Sequence, residues 1–150
     1  MPVSQADKQQ FIDIITAIWY DVDYGDSTNV QHYFSEDATL AFGERLVVGR
    51  QAIHDGYQAR RNRGVRTSRH MITNTHIVDR GDDWVELVSL LLLYAADGVP
   101  VQPAADPLSV TDQWDRFERN ADGEWLLVSR KLSNLFVREG ATFSEPPSQV

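Results

Sequence analysis

A chain of 150 residues with 42% hydrophobic content can bury the core of one domain and is too short for two. Its formal net charge is −8, from 22 acidic against 14 basic residues, which argues against nucleic acid as a partner because phosphate binding draws its affinity from lysine and arginine. Cysteine is absent, so disulfides, thiol nucleophiles and cysteine-ligated metals are excluded.

The N-terminal segment Met1 to Lys8 lacks a basic stretch leading into an apolar run, and no apolar run approaches the roughly 18 residues of a membrane span. A soluble, cytoplasmic protein without membrane association is expected. Ser4 or Asp7 can cap a first helix whose Phe11, Ile14, Ile15 and Ile18 recur at helical spacing. That helix is expected to end at Tyr24-Gly25-Asp26, with Gly25 as a left-handed stop. Asp26 or Ser27 would cap a short second helix holding Val30, Tyr33 and Phe34, and Ser35-Glu-Asp37 would break it. Ala38 to Phe42 alternates as a strand, Gly43-Glu-Arg45 turns, and Leu46 to Val48 pairs back. Gly49-Arg50 leads into a third helix with Ile53 and Tyr57, and also Ala52 and Ala59, on its inward side.

Beyond an arginine-rich exit come four long strands, at about 66–78, 83–95, 108–119 and 124–136. Asp79 to Asp82 and Ala121 to Glu124 read as hairpin connections. Asp97 to Pro107 is too rich in Pro and Gly for a strand and too long for a minimal turn, as expected of a loop over a pocket mouth. The arginines Arg60, Arg61, Arg63, Arg66 and Arg69 read most simply as a solvated face that compensates the helix dipole. From Gly140 the tail, residues 140–150, is expected to be flexible. Helices first and long antiparallel strands after make an α+β domain, a curled sheet wrapped around the helices, with its core over about 8–136.

The strand beginning at Arg66 carries His70, Ile72, Asn74 and His76 on one face and Arg69, Met71, Thr73 and Thr75 on the other. An imidazole, an aliphatic and a carboxamide on one side form the wall of a partly polar cavity. The next strand, Val85 to Tyr94, is apolar on both faces over its second half, as for a central strand covered on both sides. Trp114 has the opposite parity to Gln113 and Asp115 and is placed on the outer face, where a subunit contact is expected. His32, His54 and His76 are read as structural or exposed. A metal site is not expected: no ligand spacing falls on one helix, and His70 and His76 would lie about 20 Å apart along a regular strand.

The order of elements, together with Tyr24-Gly25-Asp26, Phe34-Ser-Glu-Asp-Ala38, Gly49-Arg50-Gln-Ala-Ile53, Arg69-His70-Met-Ile-Thr-Asn74, Asp115-Arg-Phe-Glu-Arg119 and Asp122-Gly-Glu-Trp125, resembles the SnoaL-like branch of the nuclear transport factor 2-like superfamily. The resemblance runs from about Lys8 to Phe136. It implies a cone-shaped fold with three N-terminal helices packed in a curved, mostly antiparallel sheet.

Among relatives, the strand around His70 is most similar to scytalone dehydratase and bile-acid dehydratases, whose histidine acts on the substrate with an acid near the end of the first helix. Asp23 stands at that place. The tyrosine that precedes that acid in scytalone dehydratase falls here on Val22, and its second histidine falls near Thr111. The general base of ketosteroid isomerase falls at about Phe42, which cannot take a proton. A second likeness, around His70 and on to Tyr94, is to β subunits of ring-hydroxylating dioxygenases, which are structural.

The resemblance thus implies a lyase or isomerase that performs dehydration or isomerisation, without a cofactor, on an apolar cyclic or polyketide-like hydroxy-carbonyl compound. Histidine suits a proton shuttle because its ordinary pKa is about 6.5. His70 is the expected base and Asp23 its supporting carboxylate, with Tyr20, Tyr57, Asn74 and Arg130 fixing substrate oxygens. Asp115 shares inward parity with Gln113 and Phe117, or pairs on the surface with Arg116 or Arg119. Arg130 either binds a substrate carboxylate or neutralises an aspartate. A homodimer or homotrimer is expected, since an exposed sheet face commonly meets a copy of itself.

Overall fold

The computed structural model describes residues 1–141 and 143; most of the expected flexible tail therefore lies outside the described residues. Helix α1 spans Lys8–Tyr24 and buries Phe11, Ile15, Ile18, Trp19 and Val22, one stripe at helical spacing. Asp7 precedes it and folds its carboxylate back onto the N–H and hydroxyl of Ser4, both at 2.8 Å. Gly25 ends the helix in an extended conformation, φ −100°, not the left-handed one expected. Its small size is what the site requires, because a Cβ there would collide with the Asp21 side chain.

The second of the three expected helices is a single 3₁₀ turn, Val30–Tyr33, so the domain has two α-helices among its described residues. Asp21 accepts the Asn29 N–H at 2.9 Å and Asp26 accepts the Thr28 N–H at 3.1 Å. Asp21 ties the segment back to α1, Asp26 closes the local turn, and the chain passes straight from Tyr33 into a strand at Phe34.

Strand β1 covers Phe34–Phe42 and β2 covers Arg45–Val48. Ser35 to Asp37 thus belongs to β1 and is not a break; its pairing is irregular between Phe34 and Thr39. Helix α2, Arg50–Arg61, buries Ile53 and Tyr57, while Ala59 is half-buried and Ala52 exposed. Then come β3 (Arg66–Arg80), β4 (Trp84–Asp97), β5 (Ser109–Arg119) and β6 (Trp125–Val137).

The six strands form one sheet in the order β2-β1-β6-β5-β4-β3. Only β1 and β6 run parallel; the other neighbours are antiparallel. α1 packs against β3, and α2 against β1. No helix among the described residues is long and apolar enough to cross a membrane.

Register turns the inner face into a ladder of rungs. At one end Val85, Phe117 and Leu127 align, all fully buried, and Phe11 lies 5.1 Å from both Phe117 and Trp125. The next rungs are polar: Leu87 with Asp115 and Arg130, then Ser89 with Gln113 and Leu132. Beyond them Leu91, Thr111 and Asn134 align, and there the interior opens.

Strand β3 departs from simple alternation. Its pairing slips between Thr73 and His76, and Asn74 sits there at φ +55°, a left-handed conformation that Asn tolerates better than its β-branched neighbours. The extra residue reverses the parity. His70 and Ile72 face inward before the bulge, Thr75 and Ile77 after it, and Asn74 and His76 are exposed.

Candidate active site

Trp19 and Asp23 lie one helical turn apart near the end of α1 and project from the same face. Both meet His70 on β3. Asp23 Oδ1 accepts hydrogen bonds from the Ser68 hydroxyl at 2.8 Å and from His70 Nδ1 at 2.7 Å, and its Oδ2 accepts the His70 backbone N–H at 2.7 Å. The Trp19 indole stacks on the imidazole, centroids 4.1 Å apart and planes 4° from parallel. Orientation and tautomer of the ring are thereby fixed, since a carboxylate that accepts from Nδ1 leaves the proton there and the lone pair on Nε2.

Burial pushes the His70 imidazole below its ordinary pKa; the hydrogen bond and charge of Asp23 oppose this, and Arg60 and Arg130 reinforce it. For Asp23, burial works toward a higher value, but hydrogen bonds from the His70 ring, its backbone N–H and Ser68 hold the carboxyl below the usual range, and the ring's charge lowers it further whenever His70 is protonated. The two directions agree on one state: a neutral imidazole on an ionised carboxylate. Nε2 makes no hydrogen bond to any described residue, and His70 borders the cavity. Such a nitrogen can accept a proton, and the carboxylate behind it stabilises the imidazolium that results.

Behind Trp19 lies a buried polar chain. The indole N–H donates to Gln113 Oε1 at 3.0 Å, and Gln113 Nε2 donates to Asp115 Oδ2 at 2.7 Å. Arg130 then clasps Asp115 through Nε at 2.7 Å and Nη2 at 3.0 Å. Burial works against the Arg130 charge, but the charge and hydrogen bonds of Asp115 hold its pKa above the ordinary value. Burial raises the Tyr57 phenol, opposed by Arg130 and Arg60. Tyr57 is therefore a protonated donor. Its hydroxyl and Arg130 Nη1 are the buried side-chain polar atoms without a partner among the described residues.

The cavity has a volume of about 420 Å³. Its walls are mainly apolar, with Leu40, Ile53, Leu91, Leu93, Leu108 and Leu132. His70, Thr111 and Asn134 supply polar groups, and the Thr111 hydroxyl donates to Asn134 at 2.7 Å. A few polar groups converging on an apolar hollow is the usual form of a small-molecule site.

The expected residues separate into three groups. His70 and Tyr57 border the cavity, and Asp23 lies behind His70, bonded to its Nδ1 and outside the lining. Asp115 and Arg130 pair with each other, with side chains 1% and 0% exposed, and neither borders the cavity, so Arg130 neutralises an aspartate and is not open to a substrate carboxylate. Asp115 does not meet Arg116 or Arg119, and Arg116 pairs instead with Glu86 and Glu118. Tyr20, 63% exposed, stacks on Tyr24 outside, and Asn74 lies on the outer side of its bulge. Neither Tyr20 nor Asn74 borders the cavity.

Sequence reasoning missed Trp19, which reads as one more core position of α1, and it missed that Arg60, Arg63 and Arg66 border the cavity. No sequence signal separates those arginines from a solvated helix end. His54 meets Gln31 at 3.1 Å, and His32 and His76 are exposed. Among the described residues no three His, Asp or Glu side chains converge as metal ligands.

A family model described as a SnoaL-like domain matches residues 4–131. No match is found among curated proteins. Among solved structures, a candidate aromatic ring hydroxylase from Novosphingobium aromaticivorans superposes with a TM-score of 0.76 at 17% identity, over 89% of this chain and 92% of the other. A candidate scytalone dehydratase from the same organism gives 0.76 at 15% identity, over 97% and 95%. ActVI-ORFA from Streptomyces coelicolor gives 0.72 at 19% identity, over 84% and 95%. At these identities the likeness is one of fold.

Proposed function

The chain belongs to the SnoaL-like domain family, and from that premise we propose that it is a lyase or isomerase acting by acid–base chemistry, without a cofactor, on an apolar cyclic or polyketide-like hydroxy-carbonyl compound. The observation that carries this reading is the His70 ring, bound through Nδ1 to Asp23 at 2.7 Å, with Nε2 free of any hydrogen bond to a described residue and His70 itself in the lining of a hollow of about 420 Å³.

His70 Nε2 removes the proton alpha to the substrate carbonyl, and Asp23 stabilises the imidazolium. Tyr57 borders the hollow with its hydroxyl buried toward Arg130; in this proposal the hydroxyl turns to the guest and donates to the carbonyl oxygen as it becomes an enolate. Return of the proton from His70 to a departing β-hydroxyl releases water and completes a dehydration. Return of it to another carbon of the enolate completes an isomerisation.

Bicyclic β-hydroxy ketones, followed by absorbance for loss of water and by ¹H NMR in D₂O for alpha-proton exchange, test the proposal. Wild-type protein should turn over or exchange at least one of them, and His70→Gln should be slower by about 10²- to 10⁴-fold with binding retained. Bound ketones that neither exchange nor react, or a His70→Gln variant as active as the parent, would sink the reading.

The second reading is a binding or structural subunit similar to a dioxygenase β subunit, and the likeness to the candidate ring hydroxylase favours it. It calls for a filled cone, against which the open hollow counts. Association into a homodimer or homotrimer through the outer sheet face, where Trp114 is 41% exposed, belongs to the same proposal; sedimentation velocity checks it.

A further inference from the structure

Four arginines border the cavity: Arg45 on β2, Arg60 at the end of α2, Arg63 just after it and Arg66 at the start of β3. No aspartate or glutamate among the described residues borders it. In a chain with 22 acidic and 14 basic residues that wall is the reverse of the composition. Dipole compensation accounts for the exposed Arg61 in the last turn of α2, but it does not require Arg60 and Arg63 to border the hollow.

The positive charge there is incompletely matched. Arg66 is paired with Asp97 at 2.9 Å. Arg60 is half-buried, and its hydrogen bond is a long one, 3.4 Å, to the Ser68 hydroxyl oxygen, which itself donates to Asp23. Asp23 is already engaged by three donors from Ser68 and His70, so its influence on Arg60 is indirect. Burial lowers the Arg60 pKa, with Tyr57 and Asp23 opposing and the positive charges of Arg66 and Arg63 adding to the strain. Arg63 and Arg45 are exposed, but Arg60 is half-buried with no carboxylate in contact, and a partly dry charge of that kind is stabilised when an anion joins it.

We propose that the cavity takes an apolar molecule bearing an anionic head group, a carboxylate or a phosphate, with Arg60 and Arg63 holding the anion at the rim while the ring system lies on Leu91, Leu93 and Leu132. This names the substrate class of the site described above and rests on that site being one for a small molecule. Guanidinium groups suit either head group, because their planar fork matches paired anionic oxygens. A cavity of about 420 Å³ holds a two- or three-ring body of ordinary ligand size.

Isothermal titration with 2-naphthoate, methyl 2-naphthoate and 2-naphthyl phosphate, on wild type and on the Arg60→Gln/Arg63→Gln double variant, tests this. The acid should bind wild type at least about 10-fold more tightly than its ester, and the advantage should shrink with added salt. In the double variant that advantage should fall to within about twofold, with ester binding unchanged as the control for an intact fold. Preference for the phosphate or for the carboxylate identifies the head group, and either supports the proposal. An ester that binds as well as the acid, an acid preference that survives in the double variant, or no binding of any of the three overturns it. These titrations read binding alone, so a failure of turnover leaves their outcome untouched, and a catalyst of neutral ketones would fail them while still passing the exchange assay.

Discussion

Asp23→Asn discriminates sharply between a working dyad and a merely polar contact. The carboxylate accepts from three donors, two on Oδ1 and one on Oδ2, whereas an amide offers one oxygen and one NH₂. If the NH₂ takes the Oδ2 place, it faces the His70 backbone N–H, donor against donor. If it takes the Oδ1 place, Nδ1 must become an acceptor, the proton moves to Nε2, and the catalytic lone pair is lost. Either arrangement removes a hydrogen bond to a charged group at a site where the side chains are 6% and 4% exposed, a loss of about 2 kcal/mol. For a domain of this size that lowers Tm by about 4–8 °C. Thermal melts by circular dichroism at pH 7.5 measure the first effect, and ¹⁵N NMR of the imidazole reads the tautomer. A variant that melts within about 1 °C of wild type and keeps the Nδ1–H tautomer would refute the assignment of Asp23 as the group that orients His70.

Acid should weaken the protein in two stages. The folded pKa of His70 lies below its unfolded value of about 6.5, so the unfolded chain gains protons first and stability falls as pH drops through that value. Asp23 is also lowered; its contribution is complete above the unfolded value of about 3.9 and is lost as pH falls toward the folded one. Tm against pH should show no loss from either group between pH 7 and 8.5, and His70→Gln should flatten the first stage. The acid limb of kcat/KM should likewise lie below 6.5, because the base works as the neutral imidazole. Asp115→Ala strands the buried Arg130 charge and should cost about 3–5 kcal/mol in urea unfolding, much of it recovered in the double variant Asp115→Leu/Arg130→Met.

The strands were legible because their apolar runs and hairpin signals are local, and β3 to β6 start and end within about two residues of their sequence reading. What depended on three-dimensional register was not. The bulge at Asn74 cannot be read from alternation, so Asn74 and His76 were assigned to the face of His70 and lie elsewhere. Asp115 and Arg130 were each singled out, but that they neutralise one another follows only from their being cross-strand partners on β5 and β6. The short 3₁₀ turn reads as a helix in the sequence because the capping residues that predict a helix start also serve to tie a turn. Asp23 and His70 came from the resemblance more than from spacing, since 47 residues separate them and no periodicity spans that gap.

The graded ladder along β4, β5 and β6 divides the molecule's labour. At the closed end Phe11, Val85, Phe117 and Leu127 belong to the core without bordering the hollow, Leu91 and Leu132 serve both core and hollow, and Leu93 and Asn134 border the hollow from outside the core. Substitutions at Leu93 and Asn134, which border the hollow from outside the core, can therefore reshape ligand preference while leaving the closed end, and with it the melting behaviour, nearly as before. A scaffold so partitioned can exchange one clientele for another by small steps, each intermediate remaining folded.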